Sequence, residues 1–213
     1  SDGQNNTVAG TNAGDDFSGT DATGNALFGK DAGTAITTGD NNVAIGLEPL
    51  ITTTTGGSNI AIGPWALNKN TTADYNVGIG RSALYWNTTG DQNVAVGRNA
   101  LGTNETASNN TALGYYALGA NTTGTRNVAV GMNALVSNTT ASNNTAVGNN
   151  VLDANTTGTG NNGLGYNALG ANTTANYNTG IGYKALEATT TGSNNVAVGN
   201  AMEANTVGDQ NTA

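Results

Sequence analysis

The chain has 213 residues, a formal charge of −8, only six Lys and Arg, and neither cysteine nor histidine. So few cations disfavour a polyanionic partner such as nucleic acid or an acidic membrane surface, and the lack of cysteine removes disulfides and thiolate chemistry. Charged residues are 9 %, aromatic residues 5 % and glycines number 32, so the polar surface has to be built mostly from Asn, Thr, Ser and Gly.

Taken from the start, Ser-Asp-Gly-Gln does not read as a signal peptide, and no apolar run reaches the ~18 residues of a membrane-spanning helix. Residues 1–24 form a degenerate first coil in which Asn6-Thr7-Val8-Ala9-Gly10 resembles a repeat start placed 19 residues before Asn25. Asp15, Asp16 and Asp21 fall in this looser stretch and are read as its solvated surface rather than as calcium ligands.

From Asn25 to residue 210 the register locks. Asn recurs every 17 residues, at Asn25, Asn42, Asn59, Asn76, Asn93, Asn110, Asn127, Asn144, Asn161, Asn178 and Asn195, and is counted here as position 1 of the unit. Position 4 is always large and apolar: Phe28, Ile45, Ile62, Ile79, Val96, Leu113, Val130, Val147, Leu164, Ile181 and Val198. Position 9 is Leu from Leu50 to Leu186, with Gly33 as the exception in the first regular unit. These two columns are expected to be the core.

Position 5 is Gly from Gly29 to Gly199, which calls for a sharp corner or a close backbone approach. Position 3 is nearly always Ala or Gly. Position 2 tolerates Thr and Asn beside Val and Ile, which places it near a rim. Apolar residues at 2, 4 and then 9, β-branched at the first two, predict two short strands separated by a turn in each unit. A 17-residue period does not fit paired-helix repeats of about 34–47 residues.

The fold expected is therefore all-β: a single β-solenoid, or β-roll, domain over 1–213, with about twelve 17-residue coils. Like positions stack, and position 1 becomes a stacked Asn ladder able to pass amide hydrogen bonds from coil to coil. In the last unit Ala201-Met202 arrives one place early, so a register slip is expected there. Asn211-Thr212-Ala213 starts a further repeat, which reads as a segment of something longer.

Positions 12 to 15 are expected to form an outer turn. Asn-x-Thr sequons at Asn70, Asn87, Asn104, Asn121, Asn138, Asn155 and Asn172 would place possible glycosylation along one edge. Paired threonines such as Thr71-Thr72 invite an ice-binding reading, which is disfavoured because adjacent residues of a strand point to opposite faces. Gly78-Ile79-Gly80, Gly163-Leu164-Gly165 and Gly180-Ile181-Gly182 mimic part of the dinucleotide-binding fingerprint but lack the following helix and acidic residue.

Trp65, Trp86, Tyr85, Tyr115, Tyr116, Tyr166 and Tyr183 flank the apolar columns and offer surface for sugars or other chains. Glu48, Asp74, Asp91, Asp153, Glu187 and Glu203 share no single column, which argues against a catalytic carboxylate pair or repeated calcium sites. No catalytic residue, metal or cofactor is assigned, and an enzyme is not expected.

At Asn42-Val43-Ala44-Ile45-Gly46, Asn59-Ile60-Ala61-Ile62-Gly63 and Asn93-Val94-Ala95-Val96-Gly97 the chain resembles the head repeats of trimeric autotransporter adhesins, the YadA-like β-roll. With Ala-Leu and Asn-Thr-Thr-Gly the unit is also similar to repeats of phage tail fibres. The familiar head repeat is shorter and lacks the Asn-Thr-Thr turn. The resemblance, over residues 25–210, implies self-association as a homotrimer or filament, with the Val/Ile and Leu columns facing inward between chains. The functional expectation is a non-enzymatic extracellular structural or adhesive fibre segment at a cell surface, in a secreted fibre or on a virion. The alternative is a phage tail-fibre or lectin-like module that binds surface glycans or a host receptor.

Overall fold

The computed structural model describes residues 4–17 and 21–213. Two compact units divide the chain, Ser1–Ser108 and Asn109–Ala213. The first holds β1 (Thr7–Ala9), β2 (Ala26–Phe28), β3 (Val43–Ile45), β4 (Ile60–Ile62), β5 (Val77–Ile79) and β6 (Val94–Val96). The second holds β7 (Thr111–Leu113), β8 (Val128–Val130), β9 (Thr145–Val147), β10 (Asn162–Leu164), β11 (Thr179–Ile181) and β12 (Val196–Val198).

Within each unit consecutive strands pair in parallel and in register, as in Val43↔Ile60 and Ile45↔Ile62 in the first and Val128↔Thr145 and Val130↔Val147 in the second. Each is a parallel β-solenoid with 17-residue spacing, and no helix occurs among the described residues. The opening coil joins the same ladder despite its two extra residues, with Thr7↔Ala26 and Ala9↔Phe28 in register.

The core differs from the sequence reading in one column. Along a strand successive side chains point to opposite faces, and here the residue that points inward is position 3. Ala44, Ala61, Ala95, Ala112, Ala129, Ala146 and Ala197 are fully buried, as are Leu at position 9 and Ala at position 8. Position 4 points outward: Ile45 is 40 % exposed, Leu164 47 % and Val198 61 %. One Leu per coil fills the narrow interior, so the opposite wall can carry only a small side chain at interior packing density. Side-chain size was a misleading guide to burial.

The first regular coil supports this account by inverting it. Leu27 takes position 3, Gly33 takes position 9, and a Cβ on Gly33 would stand 2.8 Å from Ile36 Cδ1 and 3.0 Å from the Leu27 methyls. The large side chain has moved to the other wall, with Leu27 and Ile36 both fully buried.

Each coil has one strand, not two. Position 9 lies in a left-handed turn, with φ between +49° at Leu67 and +56° at Leu169. A Leu in this conformation is sterically costly. Burial of the side chain offsets that cost, and Leu67 N–H still donates to Ala83 O of the next coil at 2.9 Å. Position 5 is the corner the glycines required: Gly80 has φ +125°, and a Cβ there would stand 2.8 Å from the Gly97 carbonyl carbon.

In the last coil the slip is present. Asn195 and Asn211 are 16 residues apart in the ladder, Val196 bridges Thr212, and Met202, with φ +53°, takes the left-handed site one residue early.

Candidate functional site

Three polar columns run through each unit. In the first, at position 1, Asn42 Oδ1 accepts from the Asn59 backbone N–H at 3.0 Å and from Asn59 Nδ2 at 3.2 Å. Asn59 Nδ2 also donates to Ala73 O at 2.8 Å. The same pattern joins Asn127 to Asn144 in the second unit, at 3.0 and 3.3 Å. The position-1 asparagines are buried, so the expected Asn ladder is present.

The second column was expected outside and is inside. Asn70, Asn87, Asn104, Asn121, Asn138, Asn155 and Asn172 at position 12 are fully buried. Their amides form another ladder: Asn104 Nδ2 donates to Asn87 Oδ1 at 2.8 Å and to Ala107 O at 2.9 Å, and Asn172 Nδ2 donates to Asn155 Oδ1 at 2.8 Å. In the folded coil these amides therefore do not project from an exposed turn, and the nitrogen a transferase would modify is hydrogen-bonded in the interior. Alternation also separates the threonines: position 13 is half-buried, with Thr71 Oγ1 donating to Thr88 O at 3.0 Å, while position 14, such as Thr72, is exposed.

The third column, position 16, was not recognised in the sequence because Asp, Ser, Thr and Asn all occur in it. In most coils its side-chain oxygen accepts from the N–H of the preceding coil, Thr125 and Thr159 being exceptions. Thr23 N–H donates to Asp40 Oδ1 at 2.7 Å, Gly57 N–H to Asp74 Oδ1 at 2.7 Å, Asp74 N–H to Asp91 Oδ1 at 2.8 Å, and Thr159 N–H to Asn176 Oδ1 at 2.7 Å. Any short acceptor satisfies the requirement, which hides the column from a search for identity. Asp74 and Asp91 thus do share a column, with Asp40.

Gly57 interrupts it. Where Gly57 lacks a side chain, a groove of about 290 Å³ opens, lined by Thr38, Asp40, Asn41, Thr55, Gly57, Ser58, Asp74 and Tyr75. The Asp40 N–H faces this gap, because a Cβ on Gly57 would stand 3.4 Å from it, and it has no acceptor among the described residues. Tyr75 is 62 % exposed.

The outward strand face is apolar. In the first unit positions 2 and 4 bring together Val43, Ile45, Ile60, Ile62, Val77, Ile79, Val94 and Val96; in the second, Val128, Val130, Val147, Leu164, Ile181 and Val196 are interspersed with Thr111, Thr145, Asn162 and Thr179.

The aromatic residues fall into separate groups. Trp65 Nε1 donates to Glu48 Oε2 at 3.2 Å, with the Arg81 guanidinium 5.0 Å from its ring. Trp86 meets Tyr85 edge-on at 5.1 Å, and Tyr115 meets Tyr116 edge-on at 4.6 Å. Tyr166 and Tyr183 stack at 5.6 Å with an interplanar angle of 13°.

Of the other acidic residues, Glu187 pairs with Lys184 at 3.0 Å, and Glu203 lies 4.0 Å from the same ammonium. The hydrogen bond from Lys184 holds the Glu187 carboxyl below its ordinary range and raises the Lys184 ammonium in turn. Burial pushes the Asp153 carboxyl up, against the lowering effect of hydrogen bonds from its own N–H and that of Ala154. Among the described residues no three acidic side chains gather as a metal cluster, and Asp15, Asp16 and Asp21 are no exception.

The fingerprint mimics resolve into the repeat itself. Gly78 is an interior position-3 residue whose Cβ would stand 3.3 Å from Ala83 O and Leu67 Cγ, and Gly80 is the corner. Gly163 makes room for Val151, which replaces the usual Ala at position 8 of the preceding coil. No helix follows any of the three. No helix among the described residues is long and apolar enough to cross a membrane. No protein-family model, no curated protein and no solved structure matches this chain.

Proposed function

We propose that the chain is a structural or adhesive segment of an extracellular fibre, associating side by side with further copies of itself through the outward strand face. The carrying observation is the position-4 column. It is large and apolar in every unit from Phe28 to Val198, yet it contributes to the outside of the coil. Contiguous exposed apolar surface of this kind marks an association surface. Interior packing does not require those residues, since Leu at position 9 and Ala at positions 3 and 8 already fill the coil.

The same face gives the resemblance to trimeric adhesin repeats a physical basis, because strands that present Val and Ile outward can bury them only against another chain. Sedimentation velocity tests the reading. The wild-type chain is expected to sediment as a defined oligomer, and replacing Ile45, Ile62 and Ile79 together by Asn is expected to yield a monomer with an unchanged β-type circular dichroism spectrum. A wild-type chain that stays monomeric at all concentrations overturns it.

A further inference from the structure

We propose that the groove opened by Gly57 is a binding site for a neutral saccharide. The site lies within the first unit and is independent of the fibre reading.

The backbone supplies the first reason. In the position-16 column most N–H groups are matched by a side-chain oxygen of the next coil, as Asp74 N–H is by Asp91 Oδ1 at 2.8 Å. Gly57 withholds that oxygen from Asp40, leaving a donor that faces the groove without an acceptor among the described residues. A sugar hydroxyl oxygen can take the place of the missing side chain as acceptor for this N–H, displacing the water that an open groove admits.

The carboxylates supply the second. Asp40 Oδ1 accepts from Thr23 and Asp74 Oδ1 accepts from Gly57, but neither Oδ2 has a partner among the described residues. The two carboxylates stand two coils apart, on the order of 10 Å at the spacing of parallel strands. That is too far for both to ligate one cation at about 2.5 Å. It suits a ring that donates a hydroxyl proton from each side. An anion is excluded by the two negative charges.

Tyr75 supplies the third. Its ring borders the groove and is largely exposed, giving the apolar face of a sugar a surface on which to lie. Asn41, Ser58 and Thr55 complete a rim of donors and acceptors suited to hydroxyl groups.

The test is saturation-transfer NMR of the full chain with the methyl glycosides of D-glucose, D-galactose, D-mannose and N-acetyl-D-glucosamine. At least one glycoside is expected to receive saturation from the Tyr75 ring. Gly57→Asn restores the missing acceptor and fills the groove, as Asn176 does for Thr159 at 2.7 Å, and is expected to abolish the signal. Tyr75→Ala, which alters only an exposed side chain, is expected to weaken affinity about tenfold, equivalent to ~1.4 kcal/mol, and decides the matter if the Asn variant does not fold. Absence of saturation transfer to all four glycosides overturns the proposal, as does transfer that survives Tyr75→Ala unchanged. Neither result bears on the oligomeric state that tests the fibre reading.

Discussion

Asn42 and Asn59 lie 17 residues apart in sequence, and a single oxygen, Asn42 Oδ1, receives both the backbone N–H and the side-chain amide of Asn59. The free amide hydrogen of Asn59 then reaches Ala73 O on the far side of its own coil at 2.8 Å. One side chain therefore ties two coils together and also closes its own.

Removing that side chain leaves a donor stranded in a dry interior. Asn59→Ala deprives the Asn76 N–H of its acceptor, Asn59 Oδ1 at 2.9 Å, and leaves the Ala73 carbonyl only the longer bond from Asn70 Nδ2 at 3.3 Å. At ~1–3 kcal/mol for a buried unsatisfied group, the variant is expected to lose about 1–3 kcal/mol, read as a lower urea midpoint. An exposed control without left-handed backbone, Thr72→Ala, is expected to lie within about 0.5 kcal/mol of wild type.

The position-12 ladder ends early, and completing it should stabilise the chain. Asn172 Oδ1 is buried with no partner among the described residues, because the next coil places Thr189 there and its hydroxyl donates to Asn205 O at 2.9 Å. Thr189→Asn supplies the amide that Asn172 itself offers to Asn155. The expected gain is about 1 kcal/mol, seen as a raised thermal midpoint; a neutral or destabilising result would show that the site cannot accept the amide geometry.

The corner glycines should not be equivalent. Gly80→Ala places a Cβ 2.8 Å from the Gly97 carbonyl carbon and oxygen at φ +125°, so backbone must move. Gly199, at φ +86°, has nothing within 4 Å of the same atom. Gly80→Ala is expected to cost more than about 3 kcal/mol, and Gly199→Ala about 1–2 kcal/mol from the unfavourable φ alone. Equal losses in chemical denaturation would contradict the backbone contact as the cause.

Burial raises the folded-state pKa of Asp153 above its ordinary 3.8. The protonated form is therefore favoured by folding: the stability this contributes is full below the unfolded value and is lost as pH rises through the folded value. Asp153→Asn is expected to be more stable than wild type at neutral pH, with the difference vanishing on acidification below about pH 3.8. A difference that stays constant across that range, measured by urea unfolding, would remove titration as its origin.

The sequence by itself determined the period, the parallel stack of coils, the glycine corner, the Asn ladder at position 1 and the slip at Met202, because each depends on like residues recurring at a fixed spacing. What only the tertiary structure decided was which side of each coil faces inward. Ile62 and Ala61 recur with equal regularity, and periodicity cannot distinguish a large residue packed inside from a large residue left outside. Leu67 decides it, because its left-handed turn carries the Leu across the interior and leaves the facing strand room for no more than Ala61 or Gly78. The same inversion buries Asn104 and Asn121 and leaves Thr72 in solvent. It also places the notch at Gly57 in a column whose Asp, Ser, Thr and Asn residues share an acceptor oxygen but no common identity.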